Sequence, residues 1–508
     1  MGGGLMQLVA YGAQDVYLTG NPQITFWKVT YRRHTNFAME SIEQTFNGQA
    51  DFGRRVTCTV SRNGDLAYRT YLQVTLPEIG QSLSDGDVFA RWLDFPGHQL
   101  IENVEVEIGG QRIEKQYGDW MHIWNQLTLD KNQEAGYNKM VGNTTQLTFV
   151  TDPSYADVDG PCDSSAPRQV CAPRNALPET TLYVPLQFWF CSNPGLALPL
   201  IALQYHEVKI NLDLRAIDEC LWAVSGLSES SGDVKVSAAY SQSLVSASLY
   251  VDYIYLDTDE RRRMAQNPHE YLIEQLQYTG AESVGSSANK VRLNFNHPCK
   301  ELVWVVQPDA HVDYCSSLIG GNPLYSALGA QPFNYTDATD ALPNSLKAFG
   351  TAASVGASVG FIDENGMFAE TPADTGINQS DAATFVLAET SLDMHCWGEN
   401  PVVTAKLQLN GQDRFSEREG TYFDQVQPFQ HHTRAPDTGV NVYSFALRPE
   451  EHQPSGTCNM SRIDNATLQL VLSNATVEGT NTAKVRVYAR NYNVLRIMSG
   501  MGGLAYSN

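Results

Sequence analysis

The two halves of the chain carry similar segments in the same order. The tripeptide Ile-Glu-Gln stands at residues 42–44 and again at 273–275, and Pro77, which closes an apolar run, has a counterpart in Pro308 at the same spacing. Two further pairs follow in order, each with its own spacing: 104–111 with 403–412, and 200–214 with 458–472. Four matches in one order indicate a duplication, which predicts two similar domains side by side.

The matched segments have the two-residue period of β-strands. Residues 208–214 carry apolar side chains at every second position, and residues 466–472 repeat that pattern. Such alternation turns one set of side chains toward a core and the other toward water. The spacing between matches changes across 119–199 and 309–399, which are rich in Pro, Gly, Ser and Asp. We therefore expect both stretches to be long loops inserted between equivalent strands.

These patterns predict an all-β protein with two domains and a short connector. The connector has the signals of a helix, because Asp257 can cap its start and Pro268 stops it. The predicted parts are an N-terminal arm (1–36), a first β domain (37–257), a linker helix (258–268) and a second β domain (269–508).

Composition narrows the class of partner. The 508 residues include 34 Lys and Arg against 56 Asp and Glu, a formal net charge of −22. Phosphate backbones repel so acidic a chain, and we expect no direct contact with nucleic acid. The sequence has no long apolar run and no secretory signal, which predicts a protein that neither spans a membrane nor is secreted. The nine cysteines are then expected to be reduced thiols, with a bond between Cys162 and Cys171 left open.

The motifs that resemble catalytic sites lack the surroundings that catalysis needs. Residues 356–360 match the Gly-x-Ser-x-Gly pattern of a nucleophile elbow, but they lie among small residues typical of a loop. His311, Asp313 and Cys315 alternate along one strand face without a partner set. The isolated histidine pair at 431–432 predicts surface histidines rather than metal ligands. The sequence therefore predicts no enzyme, no cofactor and no metal site.

Two sets of residues are candidate functional sites. Lys28, Arg32 and Arg33 form a basic patch near the start of an otherwise acidic chain. They belong either to a solvated arm or to an arm that contacts an acidic partner or a membrane surface, and the sequence favours neither. Asn334 and Asn378 lie in Asn-x-Ser/Thr sequons of the long insertion and are candidates for glycosylation. Without a secretory signal, we expect unmodified side chains there.

Four segments give the chain a specific resemblance. Residues 8–26, 193–203, 453–459 and 491–500 are similar to the major capsid proteins of large icosahedral double-stranded DNA viruses, particularly of the algal, chlorella virus type. The likeness covers nearly the whole chain. It fades where the two halves also differ: 78–98, 121–180, 221–245 and 309–400.

This resemblance implies a fold and a role. The fold would be two consecutive eight-stranded antiparallel jelly rolls, and three chains would form a homotrimer of near-hexagonal outline that tiles an icosahedral virion shell. Partners would be further copies of the chain, minor capsid proteins and an inner viral membrane, toward which Lys28, Arg32 and Arg33 would point. Assembly would take place in the host cytoplasm. Long loops would face outward, where sugar can be attached in this family outside the host secretory route.

The alternative function is carbohydrate binding or attachment, because jelly rolls also serve as lectins. Exposed tryptophans would stack on sugar rings, whereas we expect most aromatic side chains here in cores or interfaces. The tryptophans concerned are Trp92, Trp120, Trp124 and Trp189. A jelly-roll glycosidase is a third interpretation, which no motif supports.

Overall fold

The computed structural model describes residues 2–80, 89–148, 177–224, 235–312, 330–338 and 398–506. Eight principal strands of the first half are β1 (Phe37–Gln44), β2 (Arg55–Thr59), β3 (Leu66–Leu76), β4 (Ile101–Ile108), β5 (Gln111–Tyr117), β6 (Thr180–Pro185), β7 (Val208–Leu214) and β8 (Ser246–Leu256). They form two antiparallel sheets, ordered β1-β8-β3-β6 and β2-β7-β4-β5.

The second half repeats this arrangement strand for strand. Its principal strands are β9 (His269–Val284), β10 (Ala288–Leu293), β11 (Pro298–Pro308), β12 (Val402–Leu409), β13 (Gln412–Asp413), β14 (Asn441–Ser444), β15 (Ala466–Leu472) and β16 (Ala483–Met498). The sheet orders are β9-β16-β11-β14 and β10-β15-β12-β13, so each strand has the neighbours of its counterpart eight numbers earlier. Two consecutive jelly rolls with a linker helix between them are therefore confirmed.

Short strands supplement these sheets. They are Phe89–Trp92 paired with Leu221–Val224, Leu198–Pro199 beside β3, Arg418–Glu419 beside β12, Cys458–Asn459 beside β11, and Met501–Leu504 beside β16.

The sequence matches fall on equivalent strands. Residues 42–44 lie on β1 and 273–275 on β9, and each of these strands pairs with the last strand of its own jelly roll. The match of 104–111 with 403–412 is the β4–β5 hairpin and its counterpart β12–β13. Both hairpins turn through two residues of positive φ, Gly-Gly in the first and Asn-Gly in the second, as tight hairpins of this twist require.

Each jelly roll has its own apolar core between its two sheets. Trp92 in the first core and Trp304 in the second are fully buried. The alternating apolar residues of β7 and β15 point into these cores, and all of them are buried, as the two-residue period predicts.

Ten α-helices are found in the described part of the chain. They are α1 (Gly3–Val9), α2 (Asp15–Thr19), α3 (Pro96–Leu100), α4 (Gly118–Thr128), α5 (Lys131–Val141), α6 (Thr145–Thr148), α7 (Trp189–Ser192), α8 (Thr258–Gln266), α9 (Gln427–His431) and α10 (Asn474–Val477). Short 3-10 turns occupy 194–196, 217–219, 239–241, 309–312 and 460–462, and a π-helical turn occupies Tyr422–Val426.

The prediction that 119–199 is an inserted loop was wrong for a large part of that stretch. Helices α4 to α6 occupy much of its first third, and β6 lies near its end. The helical spacing of Trp120, Ile123 and Leu127, all of them buried, explains why α4 forms.

The end of the N-terminal arm and the start of the linker helix lie at the same end of the first jelly roll. Phe37, which follows the arm, pairs with Leu256, which precedes linker helix α8. The Asp257 side chain accepts a hydrogen bond from the Thr258 N–H at the start of that helix. At the opposite end of the first sheet, Ile79 bridges to Leu177, next to the positions where the long insertions leave the sheets.

Candidate assembly surfaces

Helix α4 joins the two jelly rolls. It follows β5 of the first jelly roll and packs on the outer face of the second roll's β9-β16-β11-β14 sheet. Trp120, Ile123 and Leu127 of α4 are at most 2% exposed and contact Val303 of β11 and Tyr488 of β16. The contact face is apolar and buried, as in an obligate interface.

A buried network of charges lies beside this contact. The Glu301 carboxylate, which has no exposed surface, accepts from Arg490 Nη1 at 3.1 Å and from His432 Nε2 at 2.9 Å. Arg490 also pairs with Glu274, and its guanidinium lies 3.9 Å from the ring centroid of Trp124 on α4. The network thus links strands of the second jelly roll to the helix of the first.

Burial and ion pairing act in opposite directions in this network. Burial acts to raise the pKa of Glu301, but His432 and Arg490 outweigh it and hold the pKa at about 2. Burial acts to lower the pKa of His432, but Glu301 and Glu450 raise it to about 9. Both partners are therefore charged at neutral pH, and the pair forms an ionic contact.

A cavity of about 210 Å³ lies between the jelly rolls next to this network. Glu114 of β5 lines it from the first jelly roll, and Glu274 and Arg490 line it from the second. Glu114 accepts from Gln116 Nε2 at 2.7 Å and from the Trp189 N–H at 3.2 Å. Burial raises the pKa of Glu114 to about 8.

The structure corrects one expectation about the histidine pair. His432 was expected at the surface, but its side chain has no exposed surface. Its two ring nitrogens contact Glu301, 131 residues away in the chain, and Glu450, 18 residues away. Sequence spacing alone could not reveal these partners. His432 is a structural residue of the charge network.

Of the other catalytic look-alikes, His311 alone lies in the described part of the chain. His311 is buried, with Nδ1 3.0 Å from the Asn334 carbonyl oxygen. Asp313, Cys315 and residues 356–360 lie outside the described residues. Among the described residues, no group of three or more His, Cys, Asp and Glu side chains is arranged to hold a metal ion.

The described thiols are unpaired. Free cysteines are Cys58, Cys191, Cys220, Cys299 and Cys458. Cys162 and Cys171 lie outside the described residues, so a bond between them stays untested.

The arm carries the basic patch at its surface. Lys28, Arg32 and Arg33 are all exposed. Large apolar side chains of the arm are exposed as well, among them Phe26 at 98% and Trp27 at 85%. The arm therefore offers basic and aromatic groups together, at the end of the molecule that also holds α8. Helices long and apolar enough to span a membrane are missing from the described ranges.

Of the two sequon asparagines, Asn334 lies in the described part of the chain. The Asn334 side chain is half-buried, and its Nδ2 donates to Gln331 Oε1 at 2.8 Å and to the Ala338 carbonyl at 3.0 Å. Glycosylation replaces one hydrogen of that nitrogen and would therefore break at least one of these bonds. Asn378 lies outside the described residues.

The tryptophans that would serve a carbohydrate-binding protein are not displayed as stacking platforms. Trp92, Trp120 and Trp189 are at most 4% exposed, and Trp124 is half-buried under Arg490. Their rings pack in cores and at the contact between the jelly rolls. The carbohydrate-binding alternative has no support here.

Comparison with known proteins agrees with this architecture. A family model described as major capsid protein N-terminus matches residues 25–257, and a model described as large eukaryotic DNA virus major capsid protein matches residues 260–503. The major capsid proteins of Phaeocystis pouchetii virus and Chrysochromulina ericina virus are 78% and 70% identical to this chain, and each alignment covers both partners completely.

A solved structure of the PBCV-1 virus capsid is similar to this chain in both sequence and fold. It shares 36% sequence identity at a TM-score of 0.64, and the alignment covers 95% of this chain and all of that one. The resemblance seen in the four sequence segments is thereby confirmed. The chain belongs to the family of large eukaryotic DNA virus major capsid proteins, the structural proteins of the virion capsid.

Proposed function

We propose that three copies of the chain form a homotrimeric capsomer of near-hexagonal outline, and that these trimers tile an icosahedral shell. The observation that carries the proposal is the repetition of one eight-strand topology in both halves. Three copies supply six similar jelly rolls, so a trimer can occupy a position in the shell that is surrounded by six neighbouring capsomers. Self-association is already implied by membership of a capsid protein family.

The proposal assigns a task to each part of the chain. Residues 37–257 and 269–508 are the two wall-forming jelly rolls, 258–268 is their connector, and 1–36 is an arm for other partners. Contacts within the trimer should be extensive and apolar, as α4 shows inside one chain. Contacts between trimers should be smaller and more polar, which permits correction during shell growth.

We further propose that the end bearing the arm faces the interior of the virion. Lys28, Arg32 and Arg33 would there contact minor capsid proteins or the anionic surface of an inner membrane, each basic contact contributing about 1 kcal/mol near such a surface. The opposite end, from which the long insertions leave, would face outward. Assembly in the host cytoplasm agrees with the free thiols of the described residues.

The test of the trimer is its mass in solution. Native mass spectrometry of the purified chain at micromolar concentration should give three times the chain mass of 56.2 kDa. A monomer at this concentration, in a sample whose unfolding is cooperative, would contradict the proposal.

A further inference from the structure

The second jelly roll carries a counterpart of helix α4. The helical segment 420–431 follows the short strand Arg418–Glu419, which pairs with the start of β12 as the end of β5 pairs with the start of β4. It comprises the π-helical turn Tyr422–Val426 and α9. Each segment begins with a glycine, Gly118 or Gly420, packed against a carbonyl oxygen of the first residue of a neighbouring strand. These residues, Ile101 of β4 and Val402 of β12, are themselves equivalent. The two helical segments are therefore the same element in two copies.

Helix α4 and segment 420–431 differ in which residues pack against them. Counted from the glycine, the α4 positions that pack on the second jelly roll are Trp120, Ile123, Trp124 and Leu127. The same positions of segment 420–431 are Tyr422, Gln425, Val426 and Phe429. Phe429 is 85% exposed and Val426 39% exposed. Tyr422 is half-buried beneath the guanidinium of Arg418, 4.5 Å from its ring centroid. The second jelly roll thus leaves exposed Val426 and Phe429, which stand at the positions of the covered residues Trp124 and Leu127.

The receiving face is also duplicated. Helix α4 covers the outer face of the β9-β16-β11-β14 sheet, where Val303, Val305 and Tyr488 are fully or almost fully buried. The equivalent outer face of the first jelly roll, on β1-β8-β3-β6, instead carries a row of tyrosines that are partly exposed: Tyr183, Tyr71 and Tyr250. We call this row the tyrosine face.

The rings of the tyrosine face contact one another, and a groove lies beside them. The Tyr71 and Tyr250 rings are stacked with their centroids 5.2 Å apart, and the Tyr183 ring lies 6.2 Å from Tyr71. A groove of about 860 Å³ runs from Tyr71 and Tyr183 to Met140 of α5. Tyrosine rings present large apolar area at little cost in side-chain entropy, which suits them to protein contacts.

We propose that segment 420–431 of one copy packs on the tyrosine face of the next copy, as α4 packs on the second jelly roll within one chain. The occupant is a second copy of this chain because the template for the contact is the chain's own internal interface. One surface meets a different surface, so the contact is heterologous and closes into a ring when the rotation allows. This inference rests on the proposed trimer and assigns the residues that hold it together.

The test is a charge placed at the centre of the proposed contact. Phe429→Glu should raise the dissociation constant of the trimer by about thirty-fold or more, because a charge would be desolvated against tyrosine rings. Met501→Glu is the matched control, since Met501 is 51% exposed on the short strand Met501–Leu504, which belongs to neither surface, and should leave the trimer intact. Dissociation is followed by mass photometry on dilution, and thermal unfolding verifies that both variants fold.

A second experiment tests the pairing itself. Chains carrying Phe429→Cys are assembled with chains carrying Tyr183→Cys, and a short bismaleimide should link two chains only in the mixture. If the wild type is trimeric but Phe429→Glu dissociates no more readily than the control and no mixed product forms, the assigned contact is wrong and the trimer stands. A monomeric wild type would instead overturn the trimer itself.

Discussion

Gly420→Ala is expected to destabilise the second jelly roll by about 3 kcal/mol or more, and Gly118→Ala should do the same to the first. A Cβ on Gly420 would overlap the Val402 carbonyl oxygen, and one on Gly118 would overlap the carbonyl oxygens of Ile101 and His98. These neighbours are backbone atoms held in sheets or helices, so no side-chain rotation relieves the overlap. Denaturant unfolding of both variants measures the loss.

Gly136→Ala is the control for this pair. Gly136 lies inside helix α5, and a Cβ there would meet nothing within 4 Å. Alanine should raise stability by about 0.5–1 kcal/mol at such a position, because it lowers the backbone entropy lost on helix formation. If Gly118→Ala and Gly420→Ala were as stable as the wild type, neither glycine would be packed closely against the backbone of its neighbouring strand. The two helical segments would then lack the shared contact by which they are equivalent.

Glu301→Ala is expected to cost about 3–5 kcal/mol of folding free energy. It removes the carboxylate from a buried ion network and leaves the positive charges of Arg490 and His432 only partly compensated. The pKa of His432, now about 9, should fall when the carboxylate is gone, since Glu301 is the foremost group that raises it. Calorimetry gives the stability, and NMR titration of the histidine gives the pKa.

The pH dependence of this network has a definite sign. Stability from the raised pKa of His432 is fully present below its ordinary value of 6.5 and is lost as the pH rises through about 9. Stability from the lowered pKa of Glu301 is present above its ordinary value of 4.5 and is lost as the pH falls toward 2. In the Glu301→Ala variant the acid loss from Glu301 should be absent, and the alkaline loss from His432 should be smaller, because Glu450 still pairs with this histidine.

A surface pair provides the comparison for Glu301. Glu270 and Arg496 are 2.8 Å apart, but both side chains are more than half exposed. Glu270→Ala should change stability by no more than about 1 kcal/mol, because solvent screens the pair. An equal cost for Glu270→Ala and Glu301→Ala would show that the buried network has no special role.

The strands were predictable from the sequence because their signal is local. Alternation in 208–214 and 466–472, together with the Gly-Gly and Asn-Gly turns, specifies strands and hairpins without knowledge of the partners. The duplication predicted the two domains, because similar segments in the same order indicate similar folds.

What the sequence did not reveal depends on contacts between distant residues. Helix α4 lies in a stretch whose composition indicates loops, although the spacing of Trp120, Ile123 and Leu127 was a helical signal that could have been detected. The partners of His432 lie on other segments of the second jelly roll and meet only in the fold. The exposure of Phe429 is likewise a property of packing, since its equivalent Leu127 is buried.

Electron microscopy of the purified assembly shows whether two equivalent jelly rolls per chain give a trimer with six similar units around one axis. Averaged end-on views should show a near-hexagonal particle with six lobes of density and threefold symmetry. A particle with two-fold symmetry, or single particles of two lobes at the same concentration, would contradict the trimer.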